Sequence, residues 1–255
     1  MINEIEKAIR FKARLRSGEC CVGAQLVLTD PTVVEIFGRA GYDWISVDIE
    51  HAPFTVDTVK LMLQAAVGTP AVVLARPQKL DFDEIGRYLD LGSPGVMCPF
   101  INGKEDATRL AEYCRYPPAG TRGWGPRRAV SYGIDADEYL AKANAAMLTF
   151  PIIETPQAVA HIDDILSVDG IDAVVVGPMD LSMSLGCFKK FDDSCFTSAF
   201  ETVRAACKRH GKVMGTGCAR QGDGLLLVAS DDGFLAAEAR RCLGEVRAAT
   251  PNRST

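Results

Sequence analysis

The sequence predicts a single (β/α)8 barrel, and three observations carry that expectation. Eight short, β-branched apolar runs alternate with eight stretches of helical periodicity along the 255 residues, and parallel strands need crossover helices of this kind. The boundaries between the two patterns carry capping signals, with Pro at helix starts and Gly just past helix ends. No glycine-rich phosphate-binding turn follows the first apolar run, and a doubly wound open sheet, the runner-up architecture, would need one.

The first sixteen residues, within an N-terminal segment 1–19, alternate Glu, Lys and Arg with apolar positions and read as an amphipathic helix. Expected strands follow at 21–28, 44–48, 71–76, 95–100, 148–153, 173–176, 212–216 and 225–229. Expected helices occupy 31–40, 56–66, 82–91, 104–114, 136–145, 156–166, 195–210 and 233–246. Asp30-Pro31 and Thr155-Pro156 place a capping side chain before a proline at the first helical turn. Gly41, Gly92, Gly170 and Gly211 sit where left-handed caps end helices. The stretch 116–133, rich in Pro, Gly and Arg, interrupts the alternation and is expected to be a loop serving the site or an interface. Its Arg122, Arg127 and Arg128, with Trp124 and Tyr132, form either a solvated loop or a lid against an acidic substrate or a neighbouring subunit.

Composition narrows the function. A net charge of −5 argues against nucleic acid, whose phosphates need a basic face. The N-terminus lacks the apolar core of a signal peptide and no run reaches membrane-spanning length, so a cytoplasmic protein is expected. The nine cysteines show no zinc or redox spacing. Most (Cys98, Cys114, Cys207, Cys218, Cys242) lie in apolar or helical patterns, as buried reduced thiols do.

The chemistry is concentrated at strand ends. The second run finishes in Asp48-Ile49-Glu50-His51, the third in Arg76, the fifth in Glu154 and the sixth in Gly177-Pro178-Met179-Asp180. Buried strands rarely finish in ionisable groups unless those groups are used. Adjacent barrel strands lie roughly 5 Å apart, so Glu154 and Asp180 can reach one cation, and two carboxylates with waters suit Mg²⁺ or Mn²⁺ better than Zn²⁺. Separately, each could simply cap the turn that follows it. His51, three residues from Asp48, can form a carboxylate–imidazole pair, and Arg76 can hold a developing oxyanion or pair with Glu50 or Asp48. The N–H groups around Gly177 and Met179 form a natural nest for a small carboxylate. His161 and His210 lie in helical patterns and read as surface or packing residues.

Six segments together resemble the HpcH/HpaI family of class II, metal-dependent pyruvate aldolases. They are residues 44–53, Ala75-Arg76-Pro77, Leu89-Asp90-Leu91-Gly92, residues 115–123, Ile153-Glu154-Thr155 and residues 177–182. The resemblance implies a (β/α)8 barrel that cleaves a 4-hydroxy-2-oxo acid to pyruvate and an aldehyde. It makes Glu154 and Asp180 ligands of a divalent metal (Mg, Mn, or alternatively Co). Arg76 would contact the keto oxygen, His51 with Asp48 would be the acid/base pair, and the backbone at Met179 and Asp180 would hold the carboxylate. A hexamer of paired barrels exchanging C-terminal helices is implied as well. Many relatives carry Gln where this chain has Ile152. Gly125-Pro126-Arg127-Arg128-Ala129 is similar to the macrophomate synthase branch, so oxaloacetate decarboxylation with condensation is the alternative activity. A non-catalytic keto-acid-binding barrel is the more distant one.

Overall fold

Residues 2–217 and 224–250 are described by the structure, a computed structural model. Eight parallel strands close into a barrel in chain order, with the first pairing with the second and the eighth. They are β1 (Cys21–Leu26), β2 (Trp44–Asp48), β3 (Val72–Arg76), β4 (Gly95–Cys98), β5 (Leu148–Ile153), β6 (Ala173–Val176), β7 (Val213–Thr216) and β8 (Leu225–Ser230). The helices are α1 (Ile2–Arg16), α2 (Thr32–Ala40), α3 (Val56–Ala65), α4 (Phe82–Asp90), α5 (Lys104–Tyr113), α6 (Ala136–Ala146), α7 (Pro156–Ala160), α8 (Ile162–Leu166), α9 (Pro178–Ser184), α10 (Ser194–His210) and α11 (Asp231–Ala249). The expected barrel is what the chain forms.

Successive side chains of a strand point to opposite faces, and here each face has its own apolar layer. Trp44, Leu74, Met97, Phe150, Ile152 and Val175 fill the barrel interior. Their neighbours Ile45, Val47, Val73, Ala75, Val174 and Val176 pack beneath the surrounding helices. The amphipathic α1 stoppers the N-terminal end of the barrel, burying Ile5, Ala8, Phe11 and Leu15 in the interior cluster. Gly23 makes room for the Trp44 indole, which a methyl group there would strike. Parallel register sets Asp48 beside Arg76 and Ile152 beside Val175, so their side chains emerge at matching heights.

Four boundaries differ from expectation for identifiable reasons. β1 stops at Leu26 because the Asp231 carboxylate takes the N–H groups of Val27 and Leu28, at 2.9 and 3.0 Å. β4 stops at Cys98, and Phe100 then adopts a left-handed φ of 54°. The helix expected over 156–166 breaks at His161 into α7 and α8. The segment after Gly177 continues beyond a turn into the seven-residue α9. The four glycine caps all have positive φ, as expected.

The stretch 116–133 is not a lid over its own site. It follows α5, so it lies at the N-terminal end of the barrel, opposite the strand ends that carry Arg76 and Glu154. Arg122 is buried against Asp90 (2.8 Å), Tyr139 and the face of Tyr116. Arg128 is buried and donates to Leu91 O at 2.6 Å and Leu63 O at 2.9 Å, at the C-terminal ends of α4 and α3. A guanidinium satisfies such orphan carbonyls and complements the negative ends of both helices. Arg127, Trp124 and Tyr132 are exposed.

Cys98, Cys114 and Cys207 are buried free thiols, as expected, whereas Cys242 is exposed. Cys187 and Cys195 form a disulfide across the α9–α10 connection, a pairing that their sequence context does not signal. Cys218 lies outside the described residues.

Candidate active site

Strand β2 ends in a buried carboxylate with three uses. Asp48 accepts the main-chain N–H of His51 at 3.1 Å, accepts from the Gln25 amide, and faces Arg76 Nη1 at 3.5 Å. The link from Asp48 to His51 therefore runs through the backbone and not through the imidazole, contrary to the expected carboxylate–imidazole pair. The His51 ring is half exposed, with Nε2 3.5 Å from both Glu50 Oε2 and Arg76 Nη2.

Arg76, at the end of β3, is 7 % exposed and pairs with Glu50 Oε2 at 2.5 Å. Burial drives the Glu50 carboxyl above its ordinary value, with Arg76 pulling the other way. Two flanking carboxylates fix the guanidinium fork, so its position is set before any ligand arrives. Its Nε is buried with no hydrogen-bond partner among the described residues.

Glu154, one residue past β5, is 2 % exposed. Its Oε1 accepts the Phe100 N–H at 2.7 Å, and Ser184 Oγ donates to its carbonyl at 3.0 Å. Burial, set against the Phe100 hydrogen bond and Arg76 and reinforced by the nearby Glu50 and Asp180, pushes its pKa up to about 7. The second oxygen faces Gly177, where an added methyl would lie 3.5 Å from Oε2. Asp180 is exposed, in the first turn of α9. Gly177 N–H is taken by Ile153 O, Pro178 has none, and Leu181 N–H returns to Gly177 O. This leaves the N–H groups of Met179 and Asp180 as the open donors of that turn.

His51, Arg76, Gly177, Met179 and Asp180 line a cavity of about 260 Å³ at the C-terminal mouth of the barrel. Its lining includes the polar Gln25, His51, Arg76 and Asp180 and the apolar Met97, Ile152, Val175 and Leu227. Active sites of (β/α)8 barrels sit at this end. A larger hollow beside Phe82, Arg87 and Trp124 lies outside the barrel and holds none of these strand-end groups. Among the described residues, no three His, Cys, Asp or Glu side chains converge as a complete metal cluster. Glu154 and Asp180 alone fit a hard divalent cation whose remaining positions go to water and ligand oxygens. A carboxylate buried at this cost with one oxygen turned to the cavity is the observation that favours such an ion.

The mouth thus gathers every strand-end residue singled out from the sequence: Asp48, His51, Arg76, Glu154, Gly177, Met179 and Asp180. His161 and His210 stay at the surface beside Asp164 and Asp163, as expected. Sequence reasoning missed Gln25 and Phe100. Gln25 was detectable as the polar residue inside Cys21–Leu26, but Phe100 acts through its N–H and leaves no side-chain signal.

Comparison with known proteins places the chain in a family. Residues 23–220 match the model of the family described as HpcH/HpaI aldolase/citrate lyase. A 4-hydroxy-2-oxovalerate aldolase of Novosphingobium aromaticivorans is 40% identical over 177 residues, 69% of this chain and 67% of that protein. A hydroxypyruvate/pyruvate aldolase of Pseudomonas aeruginosa is 38% identical over 178 residues, 69% of this chain and 66% of that protein. The aligned stretch therefore spans about two thirds of the length of each. The crystal structure of an HpcH/HpaI aldolase/citrate lyase family protein from Burkholderia cenocepacia J2315 superposes with a TM-score of 0.89 at 32% identity, covering 93% of this chain and 99% of that one. With its barrel, its strand-end carboxylates and these relatives together, the chain belongs to the HpcH/HpaI aldolase/citrate lyase family.

Proposed function

We propose that this chain is a metal-dependent lyase that cleaves a 4-hydroxy-2-oxo acid reversibly into a 2-oxo acid such as pyruvate and an aldehyde. The observation that carries the reading is that Arg76 and Asp180 line one cavity at the C-terminal mouth of the barrel, with the buried Glu154 carboxylate against Gly177 of the same lining. The names of the aldolase relatives support the reaction class. Glu154 and Asp180 would hold a divalent cation, Mg²⁺ or Mn²⁺ by the hardness of the donors, which supplies Lewis-acid polarisation when bound. Arg76 stabilises the negative charge that develops on the keto oxygen as the C3–C4 bond breaks. The N–H groups of Met179 and Asp180 orient the substrate carboxylate. His51 takes the proton of the C4 hydroxyl during cleavage and returns it during condensation. Asp48 acts on His51 by fixing its backbone, and on Arg76 by flanking the guanidinium.

The same reading extends to a homo-oligomer. Beyond Phe234, which packs on Phe37 and Tyr42, α11 exposes Leu235, Leu243 and Val246, and β8 exposes Val228. We propose that α11 covers a partner's barrel, in a hexamer of exchanged helices. Among the described residues no helix is long and apolar enough to cross a membrane. Four buried free thiols among the described residues favour a cytoplasmic location.

Deuterium exchange into the pyruvate methyl group, followed by NMR, tests the reaction. Exchange that needs Mg²⁺ or Mn²⁺, stops with EDTA and disappears in Glu154→Gln is the expected result. A borohydride-trapped covalent adduct of pyruvate would overturn it.

A further inference from the structure

The cavity has both polar and apolar lining residues. The carboxylate and keto oxygen of a 2-oxo acid would be held by the polar lining groups, Arg76, Asp180 and the Met179 backbone. C3 and its substituent are the part left to meet the apolar part of the same lining, Met97, Ile152, Val175 and Leu227, which belong to the barrel's interior cluster. Ile152 and Val175 are buried neighbours in the β5–β6 register. The Ile152 side chain also reaches the ligand side of Gly177, 3.3 Å from where a methyl there would stand. Gln25, an amide among the lining residues, already donates to Asp48. The unpartnered Ser46 hydroxyl is buried in the barrel and does not line the cavity.

Building on the proposed lyase activity, we infer that Ile152 and Val175 form a specificity wall that selects an alkyl or unsubstituted C3 on the 2-oxo acid and rejects a C3 hydroxyl. Pyruvate and 2-oxobutanoate are then the favoured class, and hydroxypyruvate the excluded one. A hydroxyl against this wall loses its water without gaining a partner, whereas an added methyl gains apolar contact. The chain would thus part from the hydroxypyruvate/pyruvate aldolase that it resembles.

The test uses the metal-loaded full-length protein and three probes: pyruvate, 2-oxobutanoate and hydroxypyruvate. Metal-dependent exchange at C3 is read by NMR, and binding is read separately by calorimetry, so no acceptor aldehyde is needed. Expected are exchange and binding of 2-oxobutanoate at least equal to those of pyruvate, with hydroxypyruvate weaker by about tenfold or more in both. Ile152→Thr narrows that gap, as does the isosteric Val175→Thr, which guards against a folding defect in the first variant. Hydroxypyruvate matching 2-oxobutanoate in the unaltered protein overturns the wall, as does a gap unchanged in two folded variants. Absence of exchange and binding with all three probes overturns the lyase reading itself, and the wall with it.

Discussion

Arg76 and Glu154 carry opposite electrostatic problems in one small space, and their variants separate the two. Replacing Arg76 by Lys keeps a positive charge but loses the planar fork held between Glu50 and Asp48. The expected result is a fall of about 10²-fold in the rate of pyruvate exchange at saturating metal, measured by NMR. Glu154 makes a pH prediction for the metal-free protein. Its carboxyl is raised to about 7 from the ordinary 4.5, so the folded state keeps a proton that the unfolded chain releases. The stabilising contribution is complete below the unfolded value and is lost as pH rises through about 7. The shift corresponds to roughly 3 kcal/mol. Denaturant midpoints of EDTA-treated protein should fall between about pH 5 and pH 8, and Glu154→Gln should flatten that decline. A flat profile in the unaltered chain would show that the carboxyl does not hold the proton.

At the scale of elements, strand-end chemistry was legible because a barrel strand has a polar end only where something uses it. Asp48, Arg76, Glu154 and Asp180 each close an apolar run, and that was enough to bring them to one mouth. Contacts made by the backbone were not legible. The Phe100 N–H on Glu154 and the Asp48 acceptor for the His51 N–H depend on φ angles that no side chain announces. The place of 116–133 was not legible for a related reason, since composition marks a loop as charged without saying which end of the barrel it occupies. Arg128 shows what that loop does, joining the ends of α3 and α4 from below. Arg128→Ala leaves two buried carbonyls without a donor and should cost about 2–4 kcal/mol. The melting temperature should drop, while exchange per folded molecule stays within about twofold, a split that calorimetry and NMR measure together. Gly23→Ala drives a methyl into the Trp44 indole inside the barrel, and overpacking there should destabilise by about 1–3 kcal/mol, read from denaturant midpoints.

For the whole molecule, closure is the decisive event. The barrel closes where β1 meets β8, and the Asp231 carboxylate clasps the last residues of β1 to the first turn of α11. Asp231→Ala should orphan the Val27 and Leu28 N–H groups and lower the melting temperature by several degrees, roughly 2–4 °C for each kcal/mol lost. An unchanged melting temperature would mean that water replaces the clasp without loss.

That clasp also sets a schedule for the cell. β1 leaves the ribosome ahead of the seven strands that follow it, and its partner strand β8 and the Asp231 clasp come only after them. At roughly 5–20 residues per second, the growing chain exposes an unpaired β1 edge for about 10–40 s before the means to close it exist. Exposed strand edges recruit other strands. Chains that terminate before Asp231 are therefore material for aggregation and proteolysis, and the interval before closure is when chaperones have most to protect.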